Sequence, residues 1–310
     1  MVEVARVLSE GSTTSRARML LGLLVAIWAV SWPVIKIGVS VVPPIWYASL
    51  RYLIATSCLF ALVAARGELA VPSSRDWRLV VVSGVFQMAA YSAFTGLALT
   101  ILPPGRASVL AFSTPLWVVP LAAWWLREPV SRRSLCGVAL GLLGVLIIAS
   151  PALQRHGGGQ FASYAMLMSA AAAWAISIVF VRAHRFDSSA LALAPWQALV
   201  ATALLAPLAA LIEGPPPALE WRGVASLAYV GPVATAFAYW AVVEVGRQLR
   251  ASTISMALLA TPSLGLLISA LTLGERVSGS LATGVLLVGA GIRLATSSPP
   301  LRSRAIERTE

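Results

Sequence analysis

Along the chain, long stretches almost free of charge alternate with short polar stretches that carry most of the arginines. A helix needs about 20 residues to cross a hydrocarbon core of roughly 30 Å. Ten windows of that kind can be drawn, at residues 19–40, 44–65, 79–100, 105–126, 132–150, 161–181, 189–212, 223–243, 251–273 and 278–295. Each is continuously apolar, whereas the strands of a spanning barrel alternate with period two. The pattern therefore predicts an all-α polytopic membrane protein with ten transmembrane helices.

The second half of this pattern repeats the first. Residues 108–149 recur without a gap 147 positions later, at 255–296, with 12 of 42 positions identical. Shared leucines carry little weight in so apolar a chain. The matches Thr114/Thr261, Pro115/Pro262, Glu128/Glu275, Ser131/Ser278, Gly137/Gly284 and Gly144/Gly291 are harder to obtain by chance and indicate an internal duplication. Near the start of each half, Trp28-Ala29-Val30-Ser31 matches Trp174-Ala175-Ile176-Ser177, and Lys36 then matches Arg182. Five helices per repeat is an odd number, so the second copy enters the membrane from the opposite side, as in alternating-access transporters. The expected organisation is a cytoplasmic tail at 1–18, a first repeat at 19–150, a periplasmic linker at 151–160, a second repeat at 161–296, and a cytoplasmic tail at 297–310.

Composition agrees with lipid as the solvent: 58% of the residues are hydrophobic and 11% charged. A net charge of +11 would suggest nucleic acid in a soluble protein, but here the basic residues lie between apolar runs. That distribution reports membrane orientation instead. With the N-terminus inside, 17 basic residues fall on the cytoplasmic side against five outside, so both termini are expected in the cytoplasm of a bacterial inner membrane. The first apolar run continues through Trp32 and Pro33 with no cleavage site and reads as a helix rather than a signal peptide. Cys58 and Cys136 lie inside apolar runs, and His156 and His184 in separate loops, so neither a disulfide, a metal site nor a cofactor is expected.

The duplicated five-helix unit, with its Glu-x-Val-Ser turn and glycine-spaced last helix, resembles the EamA-type repeat of the drug/metabolite transporter superfamily. Trp28, Lys36 at the end of the first helix and Arg51 inside the second fit the same pattern. The resemblance covers about residues 19–296 and implies an inner-membrane exporter; the most similar branch is the YddG-like amino-acid exporters. Members move amino acids, other metabolites, drugs or nucleotide-linked compounds. Arg127 departs from the pattern, since glycine more often precedes that glutamate; Gly274 keeps it in the second half.

Pro115 and Pro262 fall near the middle of their helices and free the carbonyls of Ala111 and Leu258, while Pro33 interrupts the first helix. Such kinks either pack against neighbouring helices or open a polar cavity at midplane. Trp77, Trp124, Trp125, Trp196 and Trp221 lie near helix ends, where tryptophan anchors at the interface. Trp28, Trp117 and Trp174 lie deeper, with Tyr91 and Tyr239, and a buried indole or phenol requires a hydrogen-bond partner that lipid does not offer. Ser31, Ser177, Thr95 and Thr235 follow or precede these aromatics at helical spacing, and Ser113 precedes the first Thr-Pro pair. Together these residues are the candidates for a substrate chamber. The alternative is ordinary helix packing through small residues.

Lys36 lies roughly 26 Å along its helix, near the outer interface, where snorkelling is one explanation and a functional charge another. Arg51 lies deeper, where a basic residue costs on the order of 3 kcal/mol, and is expected to meet a substrate carboxylate or a protein acid. The duplication maps Lys36 onto Arg182 and Glu275 onto Glu128. Two ion pairs, Lys36–Glu275 outside and Arg182–Glu128 inside, would then form alternating gates; otherwise both glutamates merely cap turns. Deep carboxylates are absent, which points to uniport rather than proton coupling and away from a drug-like cation as substrate. A nucleotide-linked solute would want more deep basic residues than Arg51. A membrane-embedded enzyme lacks a histidine or a carboxyl pair in the spans. The expected partners are a small solute and the bilayer, and ten helices need no second copy to complete a path.

Overall fold

The computed structural model describes residues 2–154 and 158–296, and the described residues form ten helical units with no strand. They are α1 (Val2–Val39), α2 (Pro44–Ala65), α3 (Asp76–Ile101), α4 (Pro104–Trp125) and α5 (Arg132–Gln154) in the first half. The second half holds α6 (Gly158–Ala183), α7 (Ala190–Glu213), α8 (Trp221–Gln248), α9 in two pieces (Ala251–Leu258 and Ala260–Leu273) and α10 (Gly279–Thr296). Among the described residues, nine of these are long and apolar enough to span, and α9 reaches that length only as its two pieces taken together. The chain is a multi-pass membrane protein.

Local chemistry sets the boundaries. Pro44 and Pro104 open α2 and α4, where the amide that proline lacks has no helical partner. Ser189 accepts the amide of Ala192 at 3.2 Å and caps α7. Three helices extend past their apolar spans. Helix α1 begins at Val2, and its apolar span at Ser15. Helix α5 runs on to Gln154 and α6 starts at Gly158, so helix reaches into the expected linker at 151–160; residues 155–157 lie outside the described residues. The tail at 297–310 lies outside them as well.

The packing repeats as the sequence does. Helix α1 lies against α9 and α8, and its counterpart α6 lies against α4 and α3; likewise α2 meets α8 as α7 meets α3. Helices α2 and α7 pair with each other, and so do α5 and α10. These contacts between halves thus come as mirror images. The end of α1 at Lys36 and Ile37 lines one cavity with the start of α6 at Gln160 and Tyr164, so the two first helices run antiparallel and the repeats are inverted.

Hydrophobic transfer cannot drive helices together within lipid, so close approach through small residues takes its place. The tightest case is α5 on α10, where a Cβ on Gly291 would lie 2.5 Å from the Gly141 nitrogen and one on Gly144 2.8 Å from the Gly284 carbonyl oxygen. Between the other helices the core is alanine-rich around fully buried Leu59, Met88, Leu99, Leu110, Leu167 and Leu205.

Candidate functional site

Helices α3 and α8 are not α-helical throughout. Each contains an eight-residue π-helical stretch, Ser83–Ala90 and Val230–Phe237, and the two stretches lie 147 positions apart, the offset of the duplication. A π turn widens the helix and redirects the side chains it carries, and such turns recur at functional sites. Gly84 and Gly231 sit at equivalent points of both. A Cβ on Gly84 would fall 2.8 Å from Val200 of α7, and one on Gly231 2.6 Å from Ile54 of α2.

These stretches aim polar groups into the middle of the bundle. Gln87 donates through Nε2 to the Tyr239 hydroxyl at 3.0 Å and accepts from Ser177 at 3.1 Å, and Ser177 lies 3.0 Å from the Ser83 hydroxyl. Arg51 donates through Nε to the Thr235 hydroxyl at 2.8 Å, and Thr235 donates in turn to the Val230 carbonyl at 2.8 Å. The Arg51 guanidinium lies 5.3 Å from the centre of the Tyr52 ring, whose hydroxyl meets Ser92 at 3.0 Å. Arg51 also interacts electrostatically with Tyr91 and Tyr239. Tyr91 meets Trp174 edge to face at 5.1 Å, and Phe112 stands 6.4 Å from Trp174 and 6.3 Å from Trp32. One cation, several hydroxyls and a set of ring faces thus converge from α1, α2, α3, α4, α6 and α8.

Of the residues singled out in the sequence, Arg51, Tyr91, Trp174, Ser177, Thr235 and Tyr239 come together in this cluster. Trp28 is tied to its edge, donating to the Ala234 carbonyl at 3.2 Å beside Thr235. Ser31 and Ser113 instead return their hydroxyls to their own helices, to Ile27 at 2.7 Å and Leu110 at 2.6 Å. Thr95 and Trp117 each enclose a donor with no acceptor among the described residues. Gln87, Tyr52, Ser83, Ser92 and Phe112 were not anticipated. The signal available was a glutamine inside the apolar run Val85-Phe86-Gln87-Met88; its counterpart in the second half is Ala234, so the duplication does not reveal it.

The two Thr-Pro pairs interrupt the helical hydrogen bonding of α4 and α9. Helix α4 is interrupted at Phe112 and Ser113, and α9 at Leu259, so Pro115 and Pro262 each stand in the first turn of a new helical piece. Thr114 donates to the freed Ala111 carbonyl at 3.0 Å. Its counterpart Thr261 is buried with an unpartnered hydroxyl among the described residues. Pro33 leaves α1 uninterrupted.

The two ends of the bundle differ. At one, Arg182 Nη2 pairs with Glu128 Oε1 at 2.6 Å, joining the halves, beside Phe180 stacked on His184 at 4.1 Å and Trp125 packed against Phe180 at 6.2 Å. At the other, no ion pair joins Lys36 to Glu275 among the described residues. Lys36 donates to the carbonyls of Leu99 at 2.5 Å and Thr100 at 3.2 Å, while Glu275 accepts the amides of Gly105 at 2.7 Å and Arg106 at 3.1 Å. Burial pushes the Glu275 carboxyl upward in pKa, against the pull of those two amides and of the Arg106 and Lys36 charges. A cavity of about 760 Å³ lies between them. Two acids the sequence reading passed over hold helix ends: Glu213 accepts the amides of Ile45 and Trp46, both at 2.9 Å, and fully buried Asp76 accepts from Asp187 and Ser188.

The two halves match a model of the EamA-like transporter family at residues 16–150 and 161–297. A probable amino-acid metabolite efflux pump of Salmonella typhimurium is 27% identical, over 87% of this chain and 91% of that protein. The aromatic amino acid exporter YddG of Ancylobacter novellus is 29% identical, over 86% and 93%. A protein of known crystal structure, 24% identical, superposes with a TM-score of 0.61 over 91% of this chain and 97% of that one, which speaks for the fold.

Proposed function

Because the chain belongs to the EamA-like transporter family, we propose that it exports amino acids, aromatic or other apolar ones foremost, by alternating access and without proton coupling. The observation that carries this reading is the mid-bundle cluster. Arg51 is a fixed positive charge over the Tyr52 ring, in a cluster that also holds the Tyr91–Trp174 ring pair, with Gln87, Ser177 and Tyr239 as hydrogen-bonding groups. A carboxylate on the guanidinium and a side chain among the rings use both features. A cationic drug would meet Arg51 with no acid in reach, and the names of the relatives in Salmonella typhimurium and Ancylobacter novellus agree with an amino acid.

In this reading the Lys36 end faces the periplasm, as the arginine asymmetry favours, and the termini are cytoplasmic. The Arg182–Glu128 pair then closes the inner mouth while the outer pair stands apart, an arrangement open outward. Breaking one pair while forming the other exchanges the two states. The gradient of the amino acid itself drives export, since the acids hold helix ends and loops rather than the cluster.

Counterflow in proteoliposomes with a panel of labelled amino acids tests the substrate class, with a quaternary ammonium compound and a nucleotide sugar as controls. Amino acids should exchange and the controls should not; exchange of a control alone would refute the reading. A proton gradient imposed at constant substrate gradient and clamped voltage should leave the rate unchanged.

A further inference from the structure

We propose that the cavity at the Lys36 end is a second substrate site, in series with the mid-bundle cluster, which receives an amino-acid zwitterion with Lys36 and Arg106 on its carboxylate. This rests on the transport reading above and adds a place to it. The cavity, about 760 Å³, is of the size that encloses small ligands. Lys36, Arg106, Arg276 and Glu275 all line it, so three cations face a single acid.

That acid is already engaged. Both Glu275 oxygens accept backbone amides, from Gly105 and Arg106, rather than either neighbouring side-chain cation. Lys36 is hydrogen-bonded only to carbonyl oxygens, and Glu275 acts on its charge without direct contact. Arg106 Nε is enclosed and has no acceptor among the described residues. An enclosed N–H donor without an acceptor is unfavourable, and a shift of the Arg106 side chain toward the cavity would give it a bound carboxylate as the missing partner. Glu275 keeps lone pairs beyond the two amides, so the ammonium of a zwitterion finds a counter-charge in the same space.

The duplication separates this feature from architecture. Whatever the fold or the gate requires of one end should recur at the other, as Lys36 and Glu275 do in Arg182 and Glu128. The positions equivalent to Arg106 and Arg276 are Thr253 and Pro129. Arginine at these two positions is therefore a feature of this mouth and not of its mirror image, and apolar Leu102 and Leu273 line the same cavity. A carboxylate held by Lys36 also keeps that lysine from Glu275, so the outer pair closes only after the solute has left.

The test is equilibrium binding of labelled L-phenylalanine to the purified full chain in nanodiscs of phosphatidylcholine, read as stoichiometry. Two sites per chain are expected in the wild type, one after Arg106→Gln, one after Arg51→Gln, and two after Arg106→Lys. L-Phenylalaninamide, which lacks the carboxylate, should compete poorly at the site that Arg106→Gln removes. A single site abolished by Arg51→Gln and untouched by Arg106→Gln would overturn this inference and leave the export reading standing. A single site abolished by Arg106→Gln alone would retain the cavity and refute the mid-bundle site, and no binding at all would refute both. Loss of the second site when phosphatidylglycerol is added to the nanodiscs would identify a lipid headgroup as the natural anion and overturn the proposal. Should Arg106→Gln fail to fold, Lys36→Gln takes its place with the same expected loss of one site.

Discussion

Arg127 shows how far a single position can be read and what it costs. Glycine is the expected residue before Glu128, and Gly274 holds the equivalent place with φ 67°. Arg127 adopts φ 54°, the same left-handed conformation, with a Cβ that disfavours it by about 1–2 kcal/mol. The turns are otherwise alike: the Glu128 amide reaches the Ala122 carbonyl at 3.4 Å, and that of Glu275 reaches Ser269 at 3.5 Å. Arg127→Gly should therefore raise stability by about 1 kcal/mol, seen as a higher midpoint in thermal unfolding of the purified protein, while counterflow is unchanged. Duplication made this departure visible in the sequence. Gln87 stayed hidden because it occurs in one half only, and spacing does not show that the hydroxyls of Ser31 and Ser113 donate to their own helices.

Helices α4 and α9 show what was legible at the next scale. The Thr-Pro pairs marked both discontinuities, since proline withdraws a donor from the helical ladder whatever the tertiary context. Whether the chain bends or breaks depends on who takes the freed carbonyl, and that is a matter of packing. In α4 the answer is Thr114, whose hydroxyl occupies the Ala111 oxygen. Thr114→Val conserves shape and removes that bond, leaving a buried carbonyl without its partner at a cost of about 1–3 kcal/mol. The expected outcome is a lower unfolding midpoint, whereas Thr261→Val, whose hydroxyl has no partner among the described residues, should leave the midpoint unchanged or raise it. The π-helical stretches in α3 and α8 left no comparable mark. Their sequences share little beyond Gly84 and Gly231, and a π turn differs from an α turn by one residue in a pattern that is mostly apolar.

For the whole molecule, ten helices and their inverted pairing followed from hydropathy and the repeat, because lipid leaves the backbone few alternatives. Which of the two charge pairs is formed did not, since mirrored sequences specify both equally. The Arg182–Glu128 pair is near half exposed on both sides, and such pairs contribute about 0.2–1 kcal/mol. Its loss should bias the two states by about fivefold at most, so it tunes a balance and does not lock one. Glu128→Arg and Arg182→Glu should each slow counterflow within that factor, and the double exchange should recover it. If the double variant is as slow as the worse single one, the pair is not a gate.

The clasp of α5 on α10 has a consequence for origin. It joins equivalent surfaces of the two repeats across a pseudo-twofold axis, glycine backbone to glycine backbone, which is the isologous geometry of a homodimer. A five-helix ancestor inserting in both orientations would already have possessed this interface before its genes fused. Two fragments cut between α5 and α6 and co-expressed should accordingly find each other in the membrane and purify as a transport-competent heterodimer.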